Sequence, residues 1–450
     1  MPRYRTEPVD TTRMPAGVPY IVGNEAAERF SFYGMKAILI VFMTKMLLDR
    51  SGGPAPMSDG DAKVWYHAFS AAVYFFPLLG ALVSDFLLGK YPTIMLLSLV
   101  YCAGHAALAI DETRLGLAVG LSLIAIGSGG IKPCVSAHVG DQFGTSNEHL
   151  LPRVFGWFYF AINLGAFASS LLTPWLLDRY GPQMAFGVPG LFMALATLVF
   201  WLGRRSFVHV PPAGPAALRE AFSPEGRQAI GRLVLVYLFI AVFWSLFDQT
   251  GSSWVLQAER LDRSFAGIEW LPSQVQAINP LLVLAFIPLF SYVVWPLVSR
   301  VMPTPPLGRM AAGMFLAAGS FAIVTWTEHL ITLSEATGSR PSIGWQIAAY
   351  AVITAAEIMV SITCLEFSYT QAPLALKSLV MGLYLLSISA GNLLAAAFNA
   401  ITTGPDGTPL VAGTTYFLIF TAAMLAAAVG FLPVALFLPT KRYIRPVGRE

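Results

Sequence analysis

The sequence predicts an all-α membrane protein with twelve transmembrane helices in two six-helix bundles. Of its 450 residues, 56% are hydrophobic and only 12% are charged, whereas a soluble domain carries about 25% charged residues. The apolar residues are grouped in segments of about 20 residues or more, the length that a helix needs to cross a bilayer. One long polar segment divides these apolar segments into six and six.

Each apolar segment is long enough for one spanning helix. We place the twelve spans at residues 18–48, 63–84, 91–110, 114–137, 153–177, 183–202, 231–256, 276–299, 307–327, 342–370, 376–402 and 413–438. The long polar segment after the sixth span is rich in arginine and proline. The predicted domains are therefore an N-terminal bundle over residues 1–203, a linker over 204–230 and a C-terminal bundle over 231–450.

The distribution of basic residues predicts the orientation in the membrane. Arginine and lysine are more frequent in the loops on the side of the termini and the linker than in the opposite loops. The positive-inside rule then places both termini and the linker in the cytoplasm. Two six-helix halves joined by a cytoplasmic linker describe the major-facilitator fold. We expect a monomeric multi-pass protein of the cell membrane, surrounded by the lipid bilayer and without a nucleic-acid partner.

The first span contains charged residues deep in apolar sequence, in the stretch NEAAERFSFYGMK over residues 24–36. Because residues three and four apart share a helix face, Glu25, Arg29, Tyr33 and Lys36 form one stripe, with Glu28 beside it. Facing lipid would cost each charge at least ~2.5 kcal/mol. A structural ion pair that only fixes the helix is one explanation; a site that handles protons or substrate explains two glutamates near one arginine better.

Other spans of the N-terminal half carry isolated polar residues. Lys132 follows a glycine-rich stretch in span four, where the glycines indicate close helix packing rather than a nucleotide-binding loop. Asn163 in span five can donate to and accept from a peptide group, and a role in helix packing is equally plausible. His67 and Tyr74 share one face of span two; His67 is either a packing residue or a proton carrier, because histidine titrates near neutral pH.

The charges of the two halves differ in sign. In the C-terminal half the deep charges are the carboxylates Asp248 and Glu357, whereas Arg29, Lys36 and Lys132 outnumber the two glutamates of the first span. A cavity between the halves would then be positive on one wall and negative on the other. Such a cavity suits a short zwitterion, with its carboxylate towards the N-terminal half and its ammonium towards Glu357.

The loop after span two predicts a gate. Residues 80–90 read GALVSDFLLGK, which is similar to the G-x-x-x-D-x-x-G-R/K signature of the major facilitators. We expect Asp85 and Lys90 to help close the inner gate, although an ordinary charged loop would also fit. Arg153 and Glu366, near the cytoplasmic ends of spans five and ten, are further candidate gating residues.

Several motifs together resemble the proton-dependent oligopeptide transporter family. EAAERF over residues 25–30 is similar to the family motif E-x-x-E-R-F, and residues 158–165 are similar to its second signature, F-Y-x-x-I-N-x-G. Residues 129–133 and 140–143 resemble its fourth-helix block. The resemblance covers nearly the whole chain.

The resemblance implies a symporter that imports di- and tripeptides with protons by alternating access. Protons are then the coupling ion, and we expect no cofactor and no enzymatic activity. The proton-coupling residues that we infer are Glu25, Glu28, Arg29, His67 and Asp248. The expected substrate contacts are Arg29, Tyr33, Lys36, Tyr74, Lys132, Asn163, Trp254, Glu357 and Tyr384; among these, Arg29, Lys36 and Lys132 would hold the peptide carboxylate and Glu357 its amino group.

Some positions depart from the family pattern. Lys36 stands where many members have arginine, and Tyr384 where many have tryptophan. Ser253 and Ser291 replace an arginine and an aspartate of the animal carriers, so another contact must close the outer gate. An anion carrier stays an alternative, although Glu357 would repel an anion, and so does a peptide sensor without transport. The sequence contains no HExxH pair, GxSxG motif or zinc-ligand cluster that would indicate an intramembrane enzyme.

Overall fold

The computed structural model describes residues 4–212, 223–335, 338–373, 376–411 and 413–440. By its internal contacts the chain forms two units, the first made of the described residues of Met1–Gly214 with Leu271–Leu281, the second of those of Pro215–Trp270 with Leu282–Glu450. Residues 213–222 of the predicted linker, and residues 1–3 and 441–450, lie outside the described residues. The predicted linker bounds and the predicted orientation of the termini therefore stay predictions.

Six long helices form the first unit. They are α1 (Val18–Lys45), α2 (Asp59–Val83), α3 (Lys90–Ile110), α4 (Arg114–Gly140), α5 (Leu151–Tyr180) and α6 (Pro182–Gly203). A π-helical turn, Ser84–Leu88, continues α2. Gly89 and Gly181 join α2 to α3 and α5 to α6 with φ angles of +79°, a left-handed conformation that glycine adopts without steric cost.

The second unit has more interruptions in its helices. Its helices are α7 (Pro224–Phe247), α8 (Ser253–Ala258), α9 (Ile278–Leu289), α10 (Trp295–Val298), α11 (Pro306–Glu335), α12 (Gly344–Glu357), α13 (Thr363–Gln371), α14 (Lys377–Ile401) and α15 (Gly413–Phe437), the first residues of α9 being packed with the first unit. A short hairpin pairs Ser264–Phe265 with Ile268–Glu269. Two π-helical turns, Phe290–Val294 and Ile358–Ile362, interrupt the eighth and tenth spans.

The twelve predicted spans are confirmed. Among the described residues, eleven helical runs are long and apolar enough to cross a membrane. The twelfth is α1, which is 28 residues long but contains the charged stretch of the first span. The all-α, twelve-helix fold class predicted from the sequence is therefore correct, and the chain is a multi-pass membrane protein.

Glycines allow the helices of the first unit to pack closely, as the sequence predicted for span four. A Cβ atom on Gly80 of α2 would lie 2.4 Å from the carbonyl oxygen of Gly130 on α4. A Cβ on Gly165 of α5 would lie 2.8 Å from the carbonyl oxygen of Ala26 on α1. Because no larger residue fits at these two contacts, α2 lies against α4 and α5 lies against the charged turn of α1.

Candidate functional site

The centre of the candidate site is an arginine shared by two buried glutamates on α1. Arg29 Nε lies 2.6 Å from Glu25 Oε1 and 3.2 Å from Glu28 Oε2. Both glutamates are 2% exposed. Tyr33, one turn further on, is close enough to Arg29 for electrostatic interaction. The predicted stripe is thus assembled by α-helical spacing alone, and its charges face the protein rather than lipid.

Two lysines lie against aromatic rings beside this stripe. Lys132 Nζ on α4 is 4.3 Å from the ring centroid of Phe32 and 4.5 Å from that of Tyr74. Lys36 Nζ is 5.2 Å from the ring centroid of Tyr66 on α2. Aromatic faces stabilise a cation, so these rings favour positive charge on both lysines beside the glutamates.

His67 lies next to the same group of residues. It is fully buried, and its ring centroid is 5.3 Å from that of Tyr66. The predicted relay required span two to pack beside span one, and the Lys36–Tyr66 contact together with the Phe32–Phe69 ring contact shows that it does. Whether His67 exchanges protons with the glutamates stays a prediction.

Residues that the sequence analysis missed lie on the opposite side of α1. Ser128 Oγ on α4 donates to Glu28 Oε1 at 3.4 Å. Ser31 Oγ on α1 and His105 Nε2 on α3 form a hydrogen bond of 2.7 Å, with both side chains buried. Each is a polar residue within an apolar span, which is the signal that singled out His67, but sequence gives no indication that they face one another.

Lys90, one of the predicted inner-gate residues, forms an ion pair that the sequence analysis did not predict. Lys90 Nζ lies 2.5 Å from Asp141 Oδ2, at the end of α4. Asp85 is half-buried and near both of these groups. Arg153 stacks on Trp157, 5.0 Å from the ring centroid. The ion pair therefore joins Lys90, at the start of α3, to Asp141, at the end of α4. We add Asp141 to the candidate gating residues.

In the second unit, Asp248 occupies a short 3₁₀ turn between α7 and α8. It is buried, and its Oδ2 accepts a hydrogen bond of 2.6 Å from Asn392 Nδ2 on α14. Asn392 lies 144 residues away in sequence, so this contact was not predictable from local pattern. A neutral amide partner stabilises a carboxylate in either protonation state, because the amide offers both a donor and an acceptor.

Glu357 is the last residue of α12 and directly precedes the π-helical turn Ile358–Ile362. It is partly buried. Such π-helical turns occur frequently at functional sites. Within the same turn, Ser361 Oγ lies 3.0 Å from the hydroxyl of Tyr384 on α14. The structure thus brings Tyr384 to the segment that contains Glu357. Glu366, further along the same span, is exposed.

Two expected substrate contacts are buried side chains in this structure. Trp254 is 0% exposed and packs against Phe321 and Tyr350. Asn163 donates its amide to the carbonyl oxygen of Tyr159, one turn earlier in its own helix. The sequence could not show these orientations because it does not say which face of a helix lies towards the core. The predicted substrate contact of Trp254 stays a prediction.

The second unit also contains an ion pair between a buried glutamate and an exposed arginine that the sequence analysis did not find. Glu328 on α11 is 1% exposed and accepts hydrogen bonds from Arg260 and from Gln257 Nε2, the latter at 2.8 Å. Ser253, where animal carriers have arginine, forms a 3.0 Å hydrogen bond with the hydroxyl of Tyr416. The deep charges that the structure describes in this half therefore include a third carboxylate, Glu328, whose partner Arg260 is 45% exposed.

Twelve spans in two units, with a buried arginine–glutamate cluster on the first span, define a polytopic membrane protein with the organisation of a transporter. The chain belongs to the POT family: the sequence model of that family matches residues 91–224 and 219–417. The predicted family is confirmed. Because this is a family of membrane transporters, the prediction that the chain is not an enzyme is confirmed at the level of the family.

Individual relatives agree with this assignment. The chain is 37% identical over 361 residues to peptide transporter family 1 of Drosophila melanogaster, which covers 70% of this chain and 48% of the relative. It is 37% identical over 378 residues to human solute carrier family 15 member 2, covering 73% of this chain and 50% of the relative. The chain thus spans about half the length of these relatives.

A solved structure extends the similarity to the whole fold. The crystal structure of an auto-inhibited POT family peptide transporter superimposes with a TM-score of 0.85 at 35% identity. The superposition covers 96% of this chain and 99% of that one.

Proposed function

We propose that this protein is a proton-coupled symporter that imports di- and tripeptides by alternating access. The observation that carries the proposal is the single guanidinium of Arg29 shared by Glu25 and Glu28, both buried in the first membrane span. The relatives named above as peptide transporters support peptides as the substrate class.

The geometry of this cluster suggests how a proton would control substrate binding. With both glutamates ionised, the Nε donor of Arg29 already has two carboxylate partners. A proton on Glu28 removes one negative charge and so weakens its ion pair with Arg29. The positive charge of Arg29 is then balanced by Glu25 alone and would attract a further carboxylate, the C-terminus of a peptide. Proton binding and peptide binding would thus favour each other, as reciprocal coupling requires.

The remaining substrate contacts follow from charge. Lys36 and Lys132 would add positive charge for the peptide carboxylate, and Glu357 would bind the peptide ammonium. Tyr33, Tyr74, Asn163 and Tyr384 would contact the rest of the peptide. His67 and Asp248 would take part in proton coupling, and Asp85, Lys90, Arg153 and Glu366 in gating. The protein would act as a monomer of the cell membrane, with both termini cytoplasmic and no cofactor besides the proton.

Uptake into proteoliposomes tests the proposal. The purified protein is reconstituted, and entry of a radiolabelled dipeptide is measured with an inward proton gradient and without one. We expect accumulation above equilibrium only with the gradient. An N-acetylated dipeptide of the same sequence is the control for recognition of the ammonium. Entry of nitrate but of no peptide, or binding of peptide without any counterflow, would contradict the proposal.

A further inference from the structure

A buried polar cluster lies behind Glu28, on the side of α1 that faces α3 and α4. It consists of Ser31 on α1, Tyr101 and His105 on α3, and Ser128 on α4. Ser128 Oγ contacts Glu28 at 3.4 Å, and Ser31 Oγ contacts His105 Nε2 at 2.7 Å. The Tyr101 hydroxyl lies beside both serines and within electrostatic reach of Glu28.

The packing of neighbouring helices leaves room for the two rings of this cluster. Tyr101 and His105 are one turn apart and stack with 5.1 Å between ring centroids. A Cβ on Gly127 of α4 would lie 2.7 Å from Tyr101 Cβ, and one on Gly190 of α6 would lie 3.0 Å from His105 Cβ. Both rings are 0–1% exposed. Two glycine positions thus accommodate a pair of polar rings inside a membrane domain, where polar groups are costly unless they have partners.

Two buried atoms of the cluster, the Tyr101 hydroxyl oxygen and His105 Nδ1, lack a hydrogen-bond partner among the described residues. The Tyr101 hydroxyl nevertheless lies close to both serine hydroxyls. Leaving a buried hydroxyl unsatisfied is unfavourable, so its presence beside Glu28 needs an explanation. The explanation that we infer comes from the other protonation state of that carboxyl group.

An ionised carboxylate only accepts hydrogen bonds, whereas a protonated one also donates. In the ionised state Ser128 donates to Glu28. Once Glu28 carries a proton, its O–H donates to Ser128 Oγ, and the Ser128 hydroxyl must turn to another acceptor. The Tyr101 hydroxyl is the adjacent acceptor. The Tyr101 hydroxyl then donates a hydrogen bond to Ser31 Oγ. The Ser31 hydroxyl in turn donates to Nε2 of His105, which accepts when the ring carries its own proton on Nδ1.

We propose that Ser128, Tyr101, Ser31 and His105 form a hydrogen-bond chain that stabilises the protonated form of Glu28. The inference rests on the proposed function, because it assigns to Glu28 the coupling proton. Tyr101 and His105 are positioning residues in this scheme: they touch neither peptide nor Arg29, and they act through the two serines. The chain runs over α1, α3 and α4, all within the first unit.

Other ionisable groups lie around Glu28, and the variants used in the test must leave these groups unchanged. Gly165 of α5 packs against the charged turn of α1, and Gly190 of α6 packs against His105. Neither glycine brings a side chain to the contact. Lys132 on α4 lies near enough to act on the glutamates. The charged and titratable groups around Glu28 are Glu25, Arg29 and Tyr33 on α1, His67 and Tyr74 on α2, Tyr101 and His105 on α3, and Lys132 on α4.

Tyr101→Phe removes the middle link with almost no change in shape. Both hydrogen bonds that Tyr101 makes in the protonated state are lost, so the pH midpoint of dipeptide uptake should move to lower pH by about one to two units. Dipeptide affinity in counterflow at acid pH should stay within twofold of wild type. Tyr416→Phe, at a buried tyrosine of the second unit, should leave the midpoint unchanged. A wild-type midpoint in Tyr101→Phe would overturn the proposal.

A double-mutant cycle separates a chain from independent packing effects. Ser128→Ala breaks the first link, so adding Tyr101→Phe should produce no further shift in midpoint. Ser70→Ala is the matched control, because Ser70 is an equally buried serine whose hydroxyl has no partner among the described residues. Additive shifts from the two substitutions would contradict a chain. If Tyr101→Phe does not reach the membrane, Ser31→Ala breaks the neighbouring link with a smaller change and gives the same reading.

Infrared spectroscopy tests the inference without any transport. The C=O stretch of protonated Glu28, identified as the band absent from Glu28→Gln, should move to higher wavenumber in Tyr101→Phe, because loss of the next link weakens the hydrogen bond between the carboxyl group and Ser128. An unmoved band would refute the chain even if peptide uptake is normal. Absence of peptide uptake by the wild-type protein, with a band that moves as expected, would refute the proposed function alone.

Discussion

Replacing Glu28 by glutamine should uncouple peptide movement from the proton gradient. The change keeps the shape of the side chain and removes the group that would carry the proton. Arg29 retains Glu25 at 2.6 Å, so no buried cation is left without a partner, a situation that costs 3–5 kcal/mol. The lost contact is the longer of the two ion pairs, 3.2 Å. The folded protein and its substrate contacts should therefore persist.

The size of the expected effect follows from the energy in the gradient. A gradient of one pH unit is worth about 1.4 kcal/mol per proton, which supports about tenfold accumulation for each coupled proton. Wild-type protein should concentrate dipeptide above equilibrium, up to this factor for each coupled proton, whereas Glu28→Gln should only equilibrate it. Counterflow of labelled against unlabelled dipeptide needs no net proton movement and should continue.

The assay is uptake by proteoliposomes that contain equal amounts of each variant. Glu269→Gln, in the exposed hairpin of the second unit, is the control for loss of a glutamate elsewhere. Wild-type accumulation by Glu28→Gln would refute the coupling role. Loss of counterflow together with accumulation, at normal amounts of protein, would show instead that Glu28 is needed for binding.

Three further predictions concern the rest of the molecule. Glu357→Gln should weaken the binding of dipeptides with an unblocked amino group by about tenfold or more, as measured by competition. The binding of N-acetylated analogues should hardly change, and equal losses of affinity would exclude recognition of the ammonium. His67→Gln keeps hydrogen bonding but cannot titrate, so accumulation across a pH series should be lost while binding persists, and an unchanged series would reduce His67 to packing. Gly80→Ala places a methyl group 2.4 Å from the Gly130 carbonyl and should lower thermal stability by about 1–3 kcal/mol; Gly231→Ala, where space is open, is the control, and equal melting temperatures would argue against close α2–α4 packing.

Features that depend on neighbouring residues in the chain were predictable from the sequence. The twelve spans follow from lengths of apolar sequence, and the Arg29–Glu25 pair follows from the four-residue spacing of a helix face. The glycines of span four predicted close packing, which the Gly80–Gly130 contact confirms. In these cases one turn of helix, or one hydrophobic segment, contains all the information that is needed.

Contacts between distant parts of the chain were not predictable in this way. His105 lies 74 residues from Ser31, and Asn392 lies 144 residues from Asp248. The partner of Lys90 is Asp141 rather than the nearer Asp85, because the turn after α2 brings the start of α3 beside the end of α4. The ring of Trp254 packs against Phe321 and Tyr350 in its own unit, which are also distant contacts that the local sequence does not reveal.

Simultaneous recording of peptide and proton entry tests the central claim most directly. Proteoliposomes are loaded with a pH-sensitive dye, and a dipeptide is added outside with no gradient imposed beforehand. Coupled import predicts that the lumen acidifies as labelled dipeptide enters, and that Glu28→Gln abolishes acidification while exchange of peptide continues. Entry of dipeptide through the wild-type protein without acidification would contradict the account.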